Sequence, residues 1–85
     1  MVTGTDVVGA LMGHLQRAFT KHPRTHASVI ESLGVLLLEV RELEAAVQSR
    51  VEAHIIAEAY DVAASAIRLV LDHELRQTLG REGHA

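Results

Sequence analysis

The sequence predicts an all-α protein, and three observations carry that expectation. Ala and Leu dominate a chain of 85 residues that has one Pro and six Gly, a composition favouring helix. Apolar residues recur at three- and four-residue spacing through most of its length. Two Ser-x-x-Glu signatures, Ser28 to Glu31 and Ser49 to Glu52, have the form of capping boxes that open helices.

The first helix is expected from about Thr5 to Thr20, with Val8, Leu11, Met12, Leu15 and Phe19 on one stripe. Gly9 and Gly13 either weaken it, by about 1 kcal/mol each relative to Ala, or permit a close helix contact. Lys21-His22-Pro23-Arg24 ends the pattern, because the residue before a proline avoids the helical region. The second helix should begin at the Ser28 cap, with a core stripe of Val29, Leu33, Leu36, Val40, Leu43 and Val47. Val35, Leu37 and Leu38 extend its apolar surface around most of the circumference, more than three helices can cover. A turn near Gln48 and the Ser49 capping box should open the third helix. It continues through Val51, Ile55, Val62, Ala66 and Leu69 towards Leu79, with Gly80 as a stop and residues 81–85 as a frayed tail.

Residues 1–85 therefore read as one helical domain, an antiparallel bundle of three helices per chain completed by homo-oligomerisation. A chain this short buries only roughly 60 to 65% of the surface its unfolded form exposes. The absence of Cys rules out disulfides and thiolate metal sites. Charged residues interrupt every apolar run before the roughly 20 residues of a membrane span. No signal-peptide pattern opens the chain, so a cytoplasmic location is expected. A net charge of −3 and only two aromatics, Phe19 and Tyr60, argue against a nucleic-acid surface.

Chemistry enters with four acids. Glu39 and Glu42 on the second helix, and Glu58 and Asp61 on the third, are each three apart and so project from one side of their helix. If the two helices form an antiparallel hairpin turning near residue 50, Glu42 faces Glu58 and Glu39 faces Asp61. Either pair alone is the ordinary pattern of a solvated helix face. Together, at matched distance from the turn, they gather four carboxylates at a core margin, which costs stability unless they are protonated or bridged by cations. All-oxygen ligands suit Mg²⁺ or Mn²⁺ and not zinc.

Other polar residues have weaker patterns. His54, Glu58, Asp61, Ser65, Arg68 and Asp72 form one stripe on the third helix. Arg68 lies two turns beyond Asp61, where its guanidinium suits a phosphate; the plain alternative is pairing with Asp72 or Asp61. Lys21, His22, Arg24 and His26 make a basic loop that could fold over the site or simply be solvated. Glu31 is chiefly a capping residue, and Tyr60 either stacks on a base or sits half-buried at an interface.

Glu39-Val-Arg-Glu42-Leu43 followed by Glu58-Ala-Tyr-Asp61-Val62 resembles the Glu-x-x-Glu then Glu-x-x-Asp pattern of the MazG-like, all-α nucleoside triphosphate pyrophosphohydrolases. The likeness runs from about His26 to Arg68, roughly half the chain. It implies that Glu39, Glu42, Glu58 and Asp61 hold Mg²⁺ (or Mn²⁺), with Glu39 and Glu42 catalytic. Arg68, Lys21 and His22 are the candidate substrate-binding residues. The implied reaction splits a nucleoside triphosphate into the monophosphate and pyrophosphate, in a homodimer or dimer of dimers. Two features depart from the family pattern: Leu38 stands where many members carry a further Glu, and larger members add a fourth helix. These leave open a second reading, a non-catalytic helical interaction module with the same fold. A third is an unrelated helical hairpin that dimerises, such as a small regulatory or antitoxin-like protein.

Overall fold

The first helix, α1, spans Gly4–Lys21 and starts slightly before its apolar stripe because of a cap placed further upstream. Asp6 N–H donates to Thr3 Oγ1 at 3.1 Å and Thr3 N–H donates to Asp6 Oδ2 at 2.9 Å, closing a Thr-x-x-Asp capping box. The same bonds hold the Asp6 carboxyl below the usual carboxylate range. At the other end His22 N–H still reaches Ala18 O at 2.9 Å, and Pro23 then stops the helix. The computed structural model describes the backbone of residues 1–82 and the side chains of residues 1–78.

Helix α2, Val29–Ser49, opens as its sequence predicts, with Glu31 N–H donating to Ser28 Oγ at 3.1 Å. Glu31 reaches back one residue further than a capping box requires, and its Oε2 accepts from Ala27 N–H at 2.9 Å. The second predicted box does not form. Ser49 Oγ instead donates to Ala46 O at 2.6 Å, and the chain reverses at Arg50, whose φ of 60° and ψ of 22° are left-handed. That conformation is uncommon for a residue with a Cβ, and here it performs the helix-ending role glycine usually fills. Helix α3 then runs Glu52–Glu82. It passes through Gly80, so Gly80 is not a stop, and residues 81 and 82 of the expected tail are helical. Residues 83–85 of that tail lie outside the described residues.

Helix α3 is central: α1 and α2 each pack against it and not against each other. Among the described residues the buried apolar side chains are Leu15, Ala46 and Ala64. The stripe predicted as the α2 core is not buried in the single chain. Val29, Leu33 and Val47 are exposed and Leu36, Val40 and Leu43 are half-buried. A helix with only one neighbour covers only one narrow face. Ile30 is 81% exposed, and Leu37, Leu38, Ile56 and Val70 are exposed too. The radius of gyration is 14.9 Å, against about 12 Å for a compact chain of this length. Neither Gly9 nor Gly13 is required for packing. A Cβ on Gly9 would meet nothing within 4 Å, and one on Gly13 only Arg17 Nη1 at 3.8 Å.

The segment between α1 and α2 is held by three α3 side chains one turn apart. Arg68 donates from Nη1 to Ala18 O at 3.0 Å and from Nη2 to Arg24 O. Asp72 Oδ2 accepts from His26 N–H at 3.1 Å, and Arg76 Nη1 donates to His26 O at 2.7 Å. His26 Nδ1 bonds Ser32 Oγ at 2.8 Å, so the start of α2 is tied to the same cluster. Arg68 also lies over the Phe19 ring, 4.7 Å from its centroid, a cation–π contact. Arg68, Asp72 and Ser32 are all nearly inaccessible, and buried charges are tolerated only when paired and hydrogen-bonded. Asp72→Ala removes the buried carboxylate that accepts from His26 N–H and lies 3.6 Å from Arg68 Nε, and is expected to destabilise the fold by about 3 kcal/mol. Urea unfolding followed by circular dichroism measures this, and an unchanged midpoint would show that the cluster contributes nothing.

Candidate functional site

Three helices contribute to one cleft of about 650 Å³. Glu39 and Glu42 come from α2, Glu58 and Asp61 from α3, and His14, Arg17 and Lys21 of α1 line the same cleft. The three-residue spacing within each acidic pair puts both members on one side of their helix, and the reversal at Arg50 brings the pairs together. Glu39, Glu58 and Asp61 each present a ligand atom, and these lie within 4.8 Å of one another. Glu42 is outside this trio and exposed.

This crowding is visible in the proton affinities. Burial, followed by repulsion from Glu42, Asp61 and Glu58, lifts the Glu39 carboxyl from 4.5 to about 7. Burial and then the charges of Glu42 and Asp61 raise Glu58 as well. One oxygen of each residue, Oε2 of Glu39 and Oε2 of Glu58, is shielded from water and has no hydrogen-bond donor. Shielded carboxylate oxygens without partners are costly. A cation bound among them would relieve both the repulsion and the missing bonds. The donors are all oxygen, the chemistry of a Mg²⁺ or Mn²⁺ site.

The residues expected to meet substrate are placed unequally. Lys21 and His22 are exposed and line the cleft and an adjoining pocket of about 690 Å³ formed with segment 23–27, Glu31 and Val35. Arg68 also borders the cleft but is 3% exposed. Its guanidinium is engaged by Ala18 O, Arg24 O and Phe19, with Nε 3.6 Å from Asp72 Oδ2. As placed, Arg68 is a strut for the inner wall, and direct contact with a phosphate requires those bonds to break. Tyr60 is half-buried, as expected, and within the chain it stacks on His14 with centroids 4.8 Å apart and an interplanar angle of 17°.

The residue that sequence reasoning missed is His14. Its Nδ1 lies 2.9 Å from Asp61 Oδ1 across 47 residues of chain. Since a carboxylate only accepts, Nδ1 is the nitrogen that carries the proton. The one available signal was that His14, Arg17 and Lys21 share a helical face beside the apolar stripe. Comparison of the chain with family models, with curated proteins and with solved structures returns no match.

The raised carboxyls fix the sign of a pH effect. Between about 4.5 and about 7 the folded chain holds a proton on Glu39 that the unfolded chain has released, so stability falls as pH rises. Glu58 acts in the same direction. In chelated buffer the midpoint temperature is expected to drop across this interval. For Glu39 the drop is about 1 kcal/mol once the solvent screening of a partly exposed group is allowed for, or roughly 4 to 8 °C. Glu39→Gln should flatten the profile, and a wild-type midpoint that climbs across the interval would contradict the crowding.

Proposed function

We propose that the protein is a divalent-cation-dependent nucleoside triphosphate pyrophosphohydrolase of the MazG-like kind its paired motifs resemble. It would act in the cytoplasm as a homodimer or dimer of dimers. The observation that carries the reading is the Glu39, Glu58 and Asp61 cluster, with its two shielded oxygens lacking donors, in one cleft with Arg17 and Lys21. An acidic protein repels a polyphosphate unless cations intervene, and this cleft supplies both acidic and basic side chains.

Glu39, Glu58 and Asp61 would hold the ion; bound there, Mg²⁺ or Mn²⁺ supplies neutralisation of phosphate charge and lowers the pKa of a water. Glu42, exposed and outside the trio, would take the proton from an attacking water. Lys21 and Arg17 give positive charge along the α1 side, where the phosphate chain would lie, and His22 would add a ring nitrogen beside it. Arg68 contributes by keeping α1 and the segment after it at a fixed distance from the acids.

Thermal unfolding tests the assignment. Millimolar Mn²⁺ or Mg²⁺ at about 100 times its dissociation constant should stabilise the fold by roughly 2.7 kcal/mol, and a non-hydrolysable nucleoside triphosphate should add to the shift. Asp61→Ala is expected to abolish both the shift and pyrophosphate release while leaving helicity intact. Retained turnover in that variant would overturn the assignment.

The non-catalytic interaction module is favoured by a different observation, the apolar surface left uncovered. Leu38 lines the cleft and is 53% exposed at the place where the family pattern carries a Glu. This reading gives assembly without any shift from cation or nucleotide.

Both readings place a second copy over the exposed apolar residues. On α3, Ile56, Ala59, Ala63, Ala66 and Val70 recur at three- and four-residue spacing, and all but Ala63 are exposed. On α2, Ile30, Leu33 and Leu37 do the same. A stable interface needs about 800 Å² per partner. Light scattering on the 9.2 kDa chain should give at least twice the monomer mass, and Ile30→Glu combined with Val70→Glu should return it to monomer. A monomeric wild type would remove the oligomeric part of both readings.

A further inference from the structure

We infer that His14 is a positioning residue that fixes the carboxylate of Asp61 for cation binding, so that α1 takes part in a metal site whose ligands all lie on α2 and α3. The inference rests on the metal reading of the cleft and adds a residue to it. Asp61 belongs to the ligand trio, yet its side chain is 42% exposed. An exposed Asp on a helix has little to hold its rotamer, and a ligand that samples several rotamers binds weakly, because the cation must order it.

His14 supplies that restraint. Its side chain is 17% exposed, and it is held at two points of α3. The ring stacks on Tyr60, while Nδ1–H donates to Asp61 Oδ1 at 2.9 Å. Tyr60 and Asp61 are consecutive, so the stack sets the height and tilt of the ring and the hydrogen bond then sets the carboxylate. The next residue, Leu15, is the one buried apolar side chain of α1, which anchors the histidine's own backbone. The donated N–H also places a partial positive charge beside a crowded group of acids, and it engages Oδ1 of Asp61 and not Oδ2. Metal-binding carboxylates are commonly oriented by such outer partners, and losing one costs about 10- to 100-fold in affinity.

The test is a Mn²⁺ titration of the full chain, by calorimetry or by loss of the free Mn²⁺ electron paramagnetic resonance signal. His14→Phe keeps an aromatic ring for the Tyr60 stack but has no donor, and it should weaken Mn²⁺ binding by about 10-fold or more. His14→Asn puts an amide N–H close to the place of Nδ1 and should recover most of that loss. Circular dichroism of both variants should show wild-type helicity, which separates positioning from folding. If His14→Phe binds Mn²⁺ as tightly as the wild type, or if a folded His14→Asn is as weak as the Phe variant, the inference is overturned. A wild type that binds no Mn²⁺ overturns the metal reading itself, and this inference with it.

Discussion

The buried cluster of Arg68, Asp72 and Arg76 is the constraint on which the remaining geometry depends. Helices α1 and α2 do not touch each other, so nothing in their own packing fixes the width of the space between them. Three α3 side chains, at four-residue spacing and thus on one face, hold the carbonyls of Ala18, Arg24 and His26 and the amide of His26. They bind the connecting segment, and through it the end of α1 and the start of α2, to a single rigid helix. The arrangement also satisfies backbone groups that an irregular segment against a core would otherwise leave without partners.

With that spacing set, the acids have a defined environment. Glu39 and Glu58 lie far enough into the hairpin to lose solvation and close enough to each other to repel, which raises both carboxyls. An ordinary solvated face would show neither effect. Crowded carboxylates persist in folds where a ligand compensates the cost, and perturbed groups in a cleft are a recognised signature of functional sites. Arg17 and Lys21 line the same cleft, so it carries both signs of charge.

The apolar surface is the second unresolved cost in the single chain. Among the described residues only Leu15, Ala46 and Ala64 are buried apolar side chains, while exposed Val, Ile or Leu side chains lie on all three helices. Small residues at the α2–α3 contact allow close approach but bury little area each. The chain is thus long, at 52 Å in its greatest extent, and thin, at 18 Å in its least.

The sequence by itself determined the helices, because capping, proline placement and 3.6-residue periodicity act over a few residues. Three helices and the Ser28 cap were legible that way, and so was the Glu-x-x-acid spacing that brings the four acids to one cleft. Local rules failed where two local solutions competed. Ser49 had the form of a cap, yet it bonds back to Ala46 O and leaves the reversal to a left-handed Arg50. Thr3 and Asp6 formed a capping box ahead of the apolar stripe, where periodicity gave no signal. Gly80 did not end α3, since a single glycine costs a long helix only about 1 kcal/mol. Tertiary structure decided the rest. Whether Arg68 faces a ligand or the protein interior depends on carbonyls 44 and 50 residues away, and the link between His14 and Asp61 crosses 47 residues. Such partners are set by how the helices dock, which no short-range pattern encodes.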